Sequence, residues 1–418
     1  MTAAAPADRL PAIAAALREA AGRFGTPVYI TDDVALGAAL DELRAAFPDP
    51  WIRQYSVKAN DVPGVIAHVT GPGRGLGANV VSRGEWAAAR AAGVPNGRIT
   101  LEGVGKSDAD LGAAVRAAVG GDPLLWTAIE SPEEADALLA RARRAGLGRG
   151  DRPGLDVLLR LNPDVTPETQ PGLAVGAGGS KFGMTETELS ATVERLASAG
   201  GAIRPRGVHL HVGSQLGAVD AWRDAVRRGL ALLGLLRGGL PAVDTLDVGG
   251  GFAVVEPSDA APRPERFARE IPDLLDAIPP DRRPTRFAIE PGRFVVARAG
   301  WLVGRVLHVR DRGGRQVVLD TGMTELIRPA LYGAAHPMVA LTSEGRAVER
   351  WSPPGDPAAV HGPICESTDE LGEHALPPLR RGDLVAIGDA GAYAASQSST
   401  YNGRPRPPQV ILLSDGRL

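Results

Sequence analysis

Tyr55-Ser56-Val57-Lys58-Ala59-Asn60 places one lysine at the close of a short β-prone run, Ile52 to Lys58, just ahead of a Pro/Gly turn at Pro63-Gly64. Outward from this stretch the chain repeats one phrase. A short β-prone run ends on a polar or glycine-rich residue, and an alanine-rich helical pattern follows.

The further runs are Leu76 to Ser82, Ile99 to Glu102, Leu124 to Ile129, Val157 to Asn162, Gly207 to Val212, Thr245 to Gly249 and Arg286 to Glu290. Helical patterns at Glu85 to Ala92, Ser107 to Val119, Pro132 to Ala145, Glu186 to Ala199, Ala218 to Leu236 and Glu265 to Ala277 lie between them. Eight strands alternating with helices over roughly 250 residues predict an α/β fold, a (β/α)8 TIM-type barrel with its active site at the C-terminal strand ends. Those ends carry Lys58, Ser82, Asn162, His211 to Ser214, Gly249 to Gly251 and Glu290 to Arg293.

From about Gly300 the pattern changes to valine-rich alternation, at Val303 to Val309, Gln316 to Asp320, Leu384 to Ile387 and Val410 to Leu413. This predicts a C-terminal β-sandwich or β-barrel-like domain, joined by the N-terminal segment through Val28 to Ile30. The expected domains are a barrel over 35–294 and a β domain over 1–34 and 295–418. Helices are predicted from Leu10 to Ala21 and from Val34 to Phe47.

A net charge of −3 over 418 residues gives no basic field for nucleic acid and no polybasic run for a membrane, so small-molecule chemistry is favoured. The single cysteine, Cys365, excludes an internal disulfide and fits a reducing compartment. Neither a signal peptide nor a membrane span is evident, and a cytoplasmic location is expected.

Each polar strand end admits two readings. Lys58 is either a solvated strand-end charge or a Schiff-base lysine. Gly249-Gly250-Gly251 is either a tight turn or a phosphate-binding loop, since glycines let backbone N–H groups approach an anion. Glu290 and Arg293 form either a local ion pair or a grip for a ligand of both signs. His209 and His211 are expected on one strand face, packed or stacked, and no metal site is assigned. Cys365, after Gly362-Pro363, is either inert or an accessible thiol able to exchange a proton. The segments Gly391-Ala392-Tyr393 and Tyr401 to Pro405 are polar and turn-rich, the composition of a binding loop.

Taken together the chain resembles the alanine-racemase-fold (fold type III) decarboxylases that depend on pyridoxal 5'-phosphate, and within them the diaminopimelate decarboxylases. The resemblance rests on FGTPVYI at 24–30, YSVKAN at 55–60, VVSRGEW at 80–86, SKFGM at 180–184, HLHVGSQ at 209–215 and DVGGGF at 247–252. It continues through EPGR at 290–293, LIRPALYGAAH at 326–336, GPICESTDEL at 362–371 and GAYAASQSSTYNGRP at 391–405.

The resemblance implies that Lys58 is the Schiff-base lysine, that His211 stacks on the pyridine ring and that Glu290 partners its nitrogen. Ser214, Gly249, Gly250, Gly251, Gly292 and Arg293 are implied at the phosphate region. It further implies that Cys365 protonates the product carbanion in the active site of a partner subunit, hence a homodimer with shared active sites, and that Tyr393 contacts cofactor and substrate. Arg293, Arg328, Tyr332 and Glu366 match positions that hold the remote amino-acid end of the substrate. The implied reaction is decarboxylation of meso-2,6-diaminopimelate to L-lysine in lysine biosynthesis.

The sequence departs from the family pattern at Asn79, where an acid is usual, and at Gln170, Phe294, Ala335 and Gln397. Phe294 and Ala335 adjoin substrate-binding positions. They leave open a paralogous decarboxylase acting on another amino acid or a conjugate in siderophore or antibiotic assembly. A pyridoxal-phosphate-binding regulatory protein without turnover is the reading from a different class.

Overall fold

The computed structural model describes residues 6–254, 260–348 and 355–418, so the first five residues of the N-terminal segment expected to join the β domain lie outside the described residues. The chain divides into two compact units, one of residues 43–58 and 66–292, the other of 1–42, 59–65 and 293–418.

The first unit is a closed parallel barrel of eight strands: β1 (Ile52–Ser56), β2 (Gly77–Val80), β3 (Ile99–Leu101), β4 (Trp126–Ile129), β5 (Leu155–Arg160), β6 (Ile203–His209), β7 (Thr245–Asp247) and β8 (Arg286–Ile289). Each pairs with its neighbour in sequence, and β1 closes the ring on β8 with Ile52 opposite Ala288 and Arg53 opposite Ile289. Four of the helices that follow strands begin on hydroxyl caps, Ser82, Ser107, Ser131 and Thr185, each accepting from the backbone N–H three residues on. Such a cap satisfies an otherwise orphaned donor and fixes where the loop from the strand end must stop.

Two expectations need correction. The sixth strand begins four residues earlier than its apolar run, at Ile203, because its first half alternates buried and partly buried residues around Pro205. The helix expected from Glu265 to Ala277 is two, Pro264–Ala268 and Ile271–Asp276. Pro272 lacks the N–H that a continuous helix would bond and cannot be accommodated mid-helix.

The second unit is built on one eight-stranded sheet. Its long strand Gly300–Asp311 pairs with Arg315–Leu319, with Leu384–Ile387 and, antiparallel, with Val28–Asp32, which in turn pairs in parallel with Gln409–Leu412. The N-terminal segment therefore enters the sheet as expected. Period-two alternation along Gly300–Asp311 sends Leu302 and Val306 into one core with Val317, Leu319 and Ile387, and Trp301 and Val303 into another with Leu10, Leu17 and Val28. The second core is covered by the amphipathic helix Pro6–Phe24. The hairpin Asp356–His361 and Glu370–Leu376 escapes sequence reading, because its strands carry charged and glycine residues on their exposed faces. No helix among the described residues is long and apolar enough to cross a membrane.

Candidate active site

The barrel rim is tied where its first and last strands end. Ser56 donates from its backbone N–H to Pro291 O (3.0 Å) and from Oγ to Glu290 O (3.1 Å). The next residues, Val57–Ala59, form one 3-10 turn, so Lys58 lies partly buried just beyond β1 rather than on the strand itself. His209 closes β6, while His211 lies two residues past it. Past His209 the ladder continues through Leu210 N–H to Asp247 O, and at Val212 the carbonyl accepts instead from the N–H groups of Val175 and Gly176; both imidazoles feel the charges of Lys58 and Arg160.

His211 Nδ1 accepts from Gly250 N–H (3.3 Å), which leaves the ring proton on Nε2. Removal from water, then the positive charges of Lys58 and Arg160, hold this ring neutral. Gly249 and Gly251 take φ of 71° and 104°, and the glycine turn is pressed against neighbouring backbone. A Cβ at Gly249 would lie 2.4 Å from Leu210 O, at Gly250 2.2 Å from Glu290 O, and at Gly251 2.6 Å from Gly213 O. Only glycine fits such a cradle. Ser214 sits beside it, its carbonyl accepting from Thr169 Oγ1 (2.5 Å).

Beneath this rim the barrel interior is unusually polar. Glu290 Oε1 accepts from Asn79 Nδ2 at 2.7 Å and lies 3.4 Å from His209 Nε2, which is 3.5 Å from Glu102 Oε2. Asp247 accepts from Gly249 N–H (2.9 Å), and Arg160 pairs with Glu130 (2.7 Å). All of these side chains are buried. Burial and then the charge of Glu290 push the Glu102 carboxyl up to about 8, and burial lowers His209 to about 4. Sequence reasoning passed over Glu102 and Asp247 as site residues, although Glu102 ends one of the eight runs.

One oxygen or nitrogen from each of Glu102, His209 and Glu290 lie within 4.8 Å of one another. The Asn79 N–H group aimed at Glu290 Oε1 would oppose a cation there, so this is a hydrogen-bonded cluster rather than a metal centre.

The β unit holds two further groups. In the first, Arg293 opens the short helix Arg293–Val296, and its guanidinium lies 4.6 Å from the Tyr393 ring centroid. Arg328, at the start of the helix Arg328–Tyr332, is buried with it; burial and then the charge of Arg293 lower it to about 10, with Tyr393 and Tyr332 acting oppositely. Tyr393 has φ of 57° and donates its N–H to Ala59 O (2.7 Å), while Asn60 Nδ2 donates to Gly391 O (3.0 Å). Ala59 and Asn60, which belong to the same unit, thus clamp the Gly391 to Tyr393 turn.

The second group carries Cys365 and Glu366, both exposed. Asn402 Nδ2 lies 3.4 Å from Cys365 Sγ, and Tyr401 Oη donates to Glu366 Oε1 (2.6 Å). Their turn is fastened by Asp369, whose carboxylate accepts from Met323 and Ile364 N–H groups (2.6 and 2.7 Å). Tyr401 and Asn402 belong to the segment singled out as a binding loop, but their partners were not foreseen.

These features fit pyridoxal phosphate. The glycine cradle excludes any Cβ and so lets backbone approach a phosphate closely, a lysine and a neutral imidazole share the rim, and a buried carboxylate with one oxygen already hydrogen-bonded suits a protonated ring nitrogen.

The family model described as pyridoxal-dependent decarboxylase, pyridoxal binding domain, matches residues 35–297. The diaminopimelate decarboxylase of Deinococcus radiodurans is 36% identical over 397 residues, covering 95% of this chain and 92% of that one. Its Aquifex aeolicus counterpart is 35% identical over 95% of this chain and 89% of its own. The crystal structure of the Helicobacter pylori diaminopimelate decarboxylase complexed with L-lysine superposes with a TM-score of 0.84 at 29% identity, covering 95% of this chain and 94% of that one. A lysine at the rim of a closed barrel, a glycine cradle and a match over both units lead to one conclusion: the chain belongs to the pyridoxal-dependent decarboxylases.

Proposed function

We propose that this enzyme removes one α-carboxylate of meso-2,6-diaminopimelate, releasing L-lysine and carbon dioxide, and that it works in the cytoplasm, in lysine biosynthesis, as a homodimer with shared active sites. One observation carries the choice of substrate: the buried guanidiniums of Arg293 and Arg328, flanked by Tyr332 and Tyr393. Arg328 is buried facing the like charge of Arg293, with the Asp389 carboxylate acting on it, and such a guanidinium is suited to a further anion. Diaminopimelate brings a second carboxylate that survives the reaction, whereas the cation-tailed substrates lysine, ornithine and arginine bring none. The exposed Glu366 carboxylate supplies the complementary charge for the distal ammonium.

Bound pyridoxal phosphate supplies the electron sink for the pair left by departing carbon dioxide. Lys58 would hold the cofactor through Nζ. The Gly249 to Gly251 turn, Ser214, Gly292 and Arg293 hold the phosphate region, His211 covers one ring face as a neutral imidazole, and Glu290 retains a proton at the ring nitrogen. Cys365 Sγ, oriented by Asn402, gives the proton that replaces the lost carboxylate. Tyr393, stacked on Arg293, orients cofactor and substrate.

The paralogous reading, a decarboxylase of another amino acid or a conjugate in siderophore or antibiotic assembly, draws on Ala335, which is exposed three residues past Tyr332 and leaves room an aromatic would fill. Carbon dioxide release from a panel of diaminopimelate, lysine, ornithine, arginine and carboxylated conjugates decides between them. Preferred turnover of diaminopimelate is expected, and no turnover of it overturns the proposal. A protein that binds the cofactor without turnover would release nothing from any member of the panel.

A further inference from the structure

Seven of the eight strands contribute a buried polar or charged group beneath the rim: Asn79 on β2, Glu102 after β3, Glu130 after β4, Arg160 on β5, His209 on β6, Asp247 on β7 and Glu290 after β8. The Arg160 cation is engaged by Glu130 at 2.7 Å. Three buried carboxylates, Glu102, Asp247 and Glu290, then share the interior with a neutral imidazole and an amide, and three anions so placed cannot all stay ionised at neutral pH.

The hydrogen bonds indicate which is the anion. Glu290 Oε1 receives a close N–H from Asn79 (2.7 Å), while Glu102, in hydrogen-bond contact with both Glu290 and Asn79, otherwise has Trp126 Nε1 at 3.4 Å. Both His209 nitrogens lack a hydrogen-bond partner among the described residues, so the imidazole does not compensate Glu102 at 3.5 Å.

We propose that Glu102 is a positioning residue of this decarboxylase, a neutral carboxylic acid that donates its proton to Glu290 and so keeps Glu290 singly charged and fixed for the cofactor's ring nitrogen. The arrangement is that of a carboxyl pair holding one proton between two oxygens. Burial and the charge of Glu290 act on Glu102 in that direction, and burial does the same for Asp247. The groups facing Glu102 are Glu290, His209, Asn79 and Trp126, with Asp247 and Arg160 behind them. The role at the ring nitrogen rests on the assignment of Glu290 above; the proton on Glu102 does not.

The test is infrared difference spectroscopy of the full-length protein. Wild type at neutral pH should show a buried carboxylic-acid C=O stretch that is lost in Glu102→Gln, and raising the pH through about 8 should remove the same band from wild type. In the holoenzyme, the visible absorption of the cofactor should titrate near that pH in wild type and stay flat in Glu102→Gln, whose amide donates permanently. An infrared spectrum unchanged by the substitution, or a wild-type band indifferent to pH across that range, overturns the proposal. The wild-type titration needs no variant, so a Glu102→Gln protein that failed to fold would leave the test intact. A band that behaves as expected beside an absorption that does not titrate would keep the proton on Glu102 and reject its coupling to the cofactor.

Discussion

The two units handle buried charge in opposite ways. The barrel interior gathers acids, Glu102, Asp247 and Glu290, and quiets them with an amide and shared protons. The β unit buries cations, Arg293 and Arg328, and sets phenol rings beside them, Tyr393 and Tyr332. An acidic floor suits a protonated ring nitrogen, and a cationic pair suits a carboxylate. Each unit by itself is therefore complementary to a different kind of charge.

The largest effect expected is on the barrel side. Lys58→Ala should abolish turnover and also remove the borohydride-reducible visible absorption of the holoenzyme, because Lys106, the lysine past the end of β3, is held by Glu134 at 2.8 Å. Residual reducible absorption in that variant would break the assignment of the cofactor to the barrel.

On the β side, Cys365→Ala should lower kcat by about 10²- to 10⁴-fold, the usual worth of a general acid, with the visible absorption intact. Steady-state kinetics beside an absorption spectrum separate the two losses. Asn402→Ala, which removes only the N–H group at 3.4 Å from Cys365 Sγ, should lower kcat less. Equal losses in both variants would mean that the thiol acts only when held.

Arg328→Met tests the charge complementarity directly. Losing charge-assisted hydrogen bonds costs about 1.5–3 kcal/mol, or about ten- to hundredfold in KM for diaminopimelate. Inhibition by L-lysine should weaken in parallel, since lysine retains the carboxylate assigned to this guanidinium. A fall in kcat with KM unchanged would place Arg328 elsewhere in the reaction.

Much of the barrel side was legible in sequence because its signals are local. Apolar runs of four to seven residues give strands, and their polar ends give Lys58, His211, the glycine turn and Glu290. What escaped depends on closure of the ring. Glu102 reads as one more strand end until Glu290 and His209 arrive from strands more than a hundred residues away, and no window of sequence contains that meeting. The same holds for Asp369 in the β unit, whose partner N–H at Met323 is 46 residues away.

The smallest effect concerns acid stability, and it sets His336 of the β unit against His209 of the barrel. His336 faces Gly388 O through Nδ1 at 3.1 Å, and its Nε2 has no hydrogen-bond partner among the described residues. A second ring proton would therefore enter a buried, unsatisfied position, with the charge of Arg328 opposing it. Burial, then Arg328, lowers His336 to about 4, and burial lowers His209 to a similar value.

In the unfolded chain both rings titrate near 6.5. As pH falls from there towards about 4 the unfolded state takes up protons that the folded state refuses, so stability falls over that window and each ring adds no further loss below it. The sign is opposite to that of Glu102, which favours the folded state at low pH. Each histidine contributes at most about 3 kcal/mol across the window. His336→Gln keeps an N–H for Gly388 O but cannot titrate, so its melting temperature should decline less steeply between pH 6.5 and 4 than that of wild type. Parallel melting curves for the two proteins over that range would mean that the ring already finds an acceptor for its second proton, and that the β unit, unlike the barrel, tolerates a further cation beside its arginines.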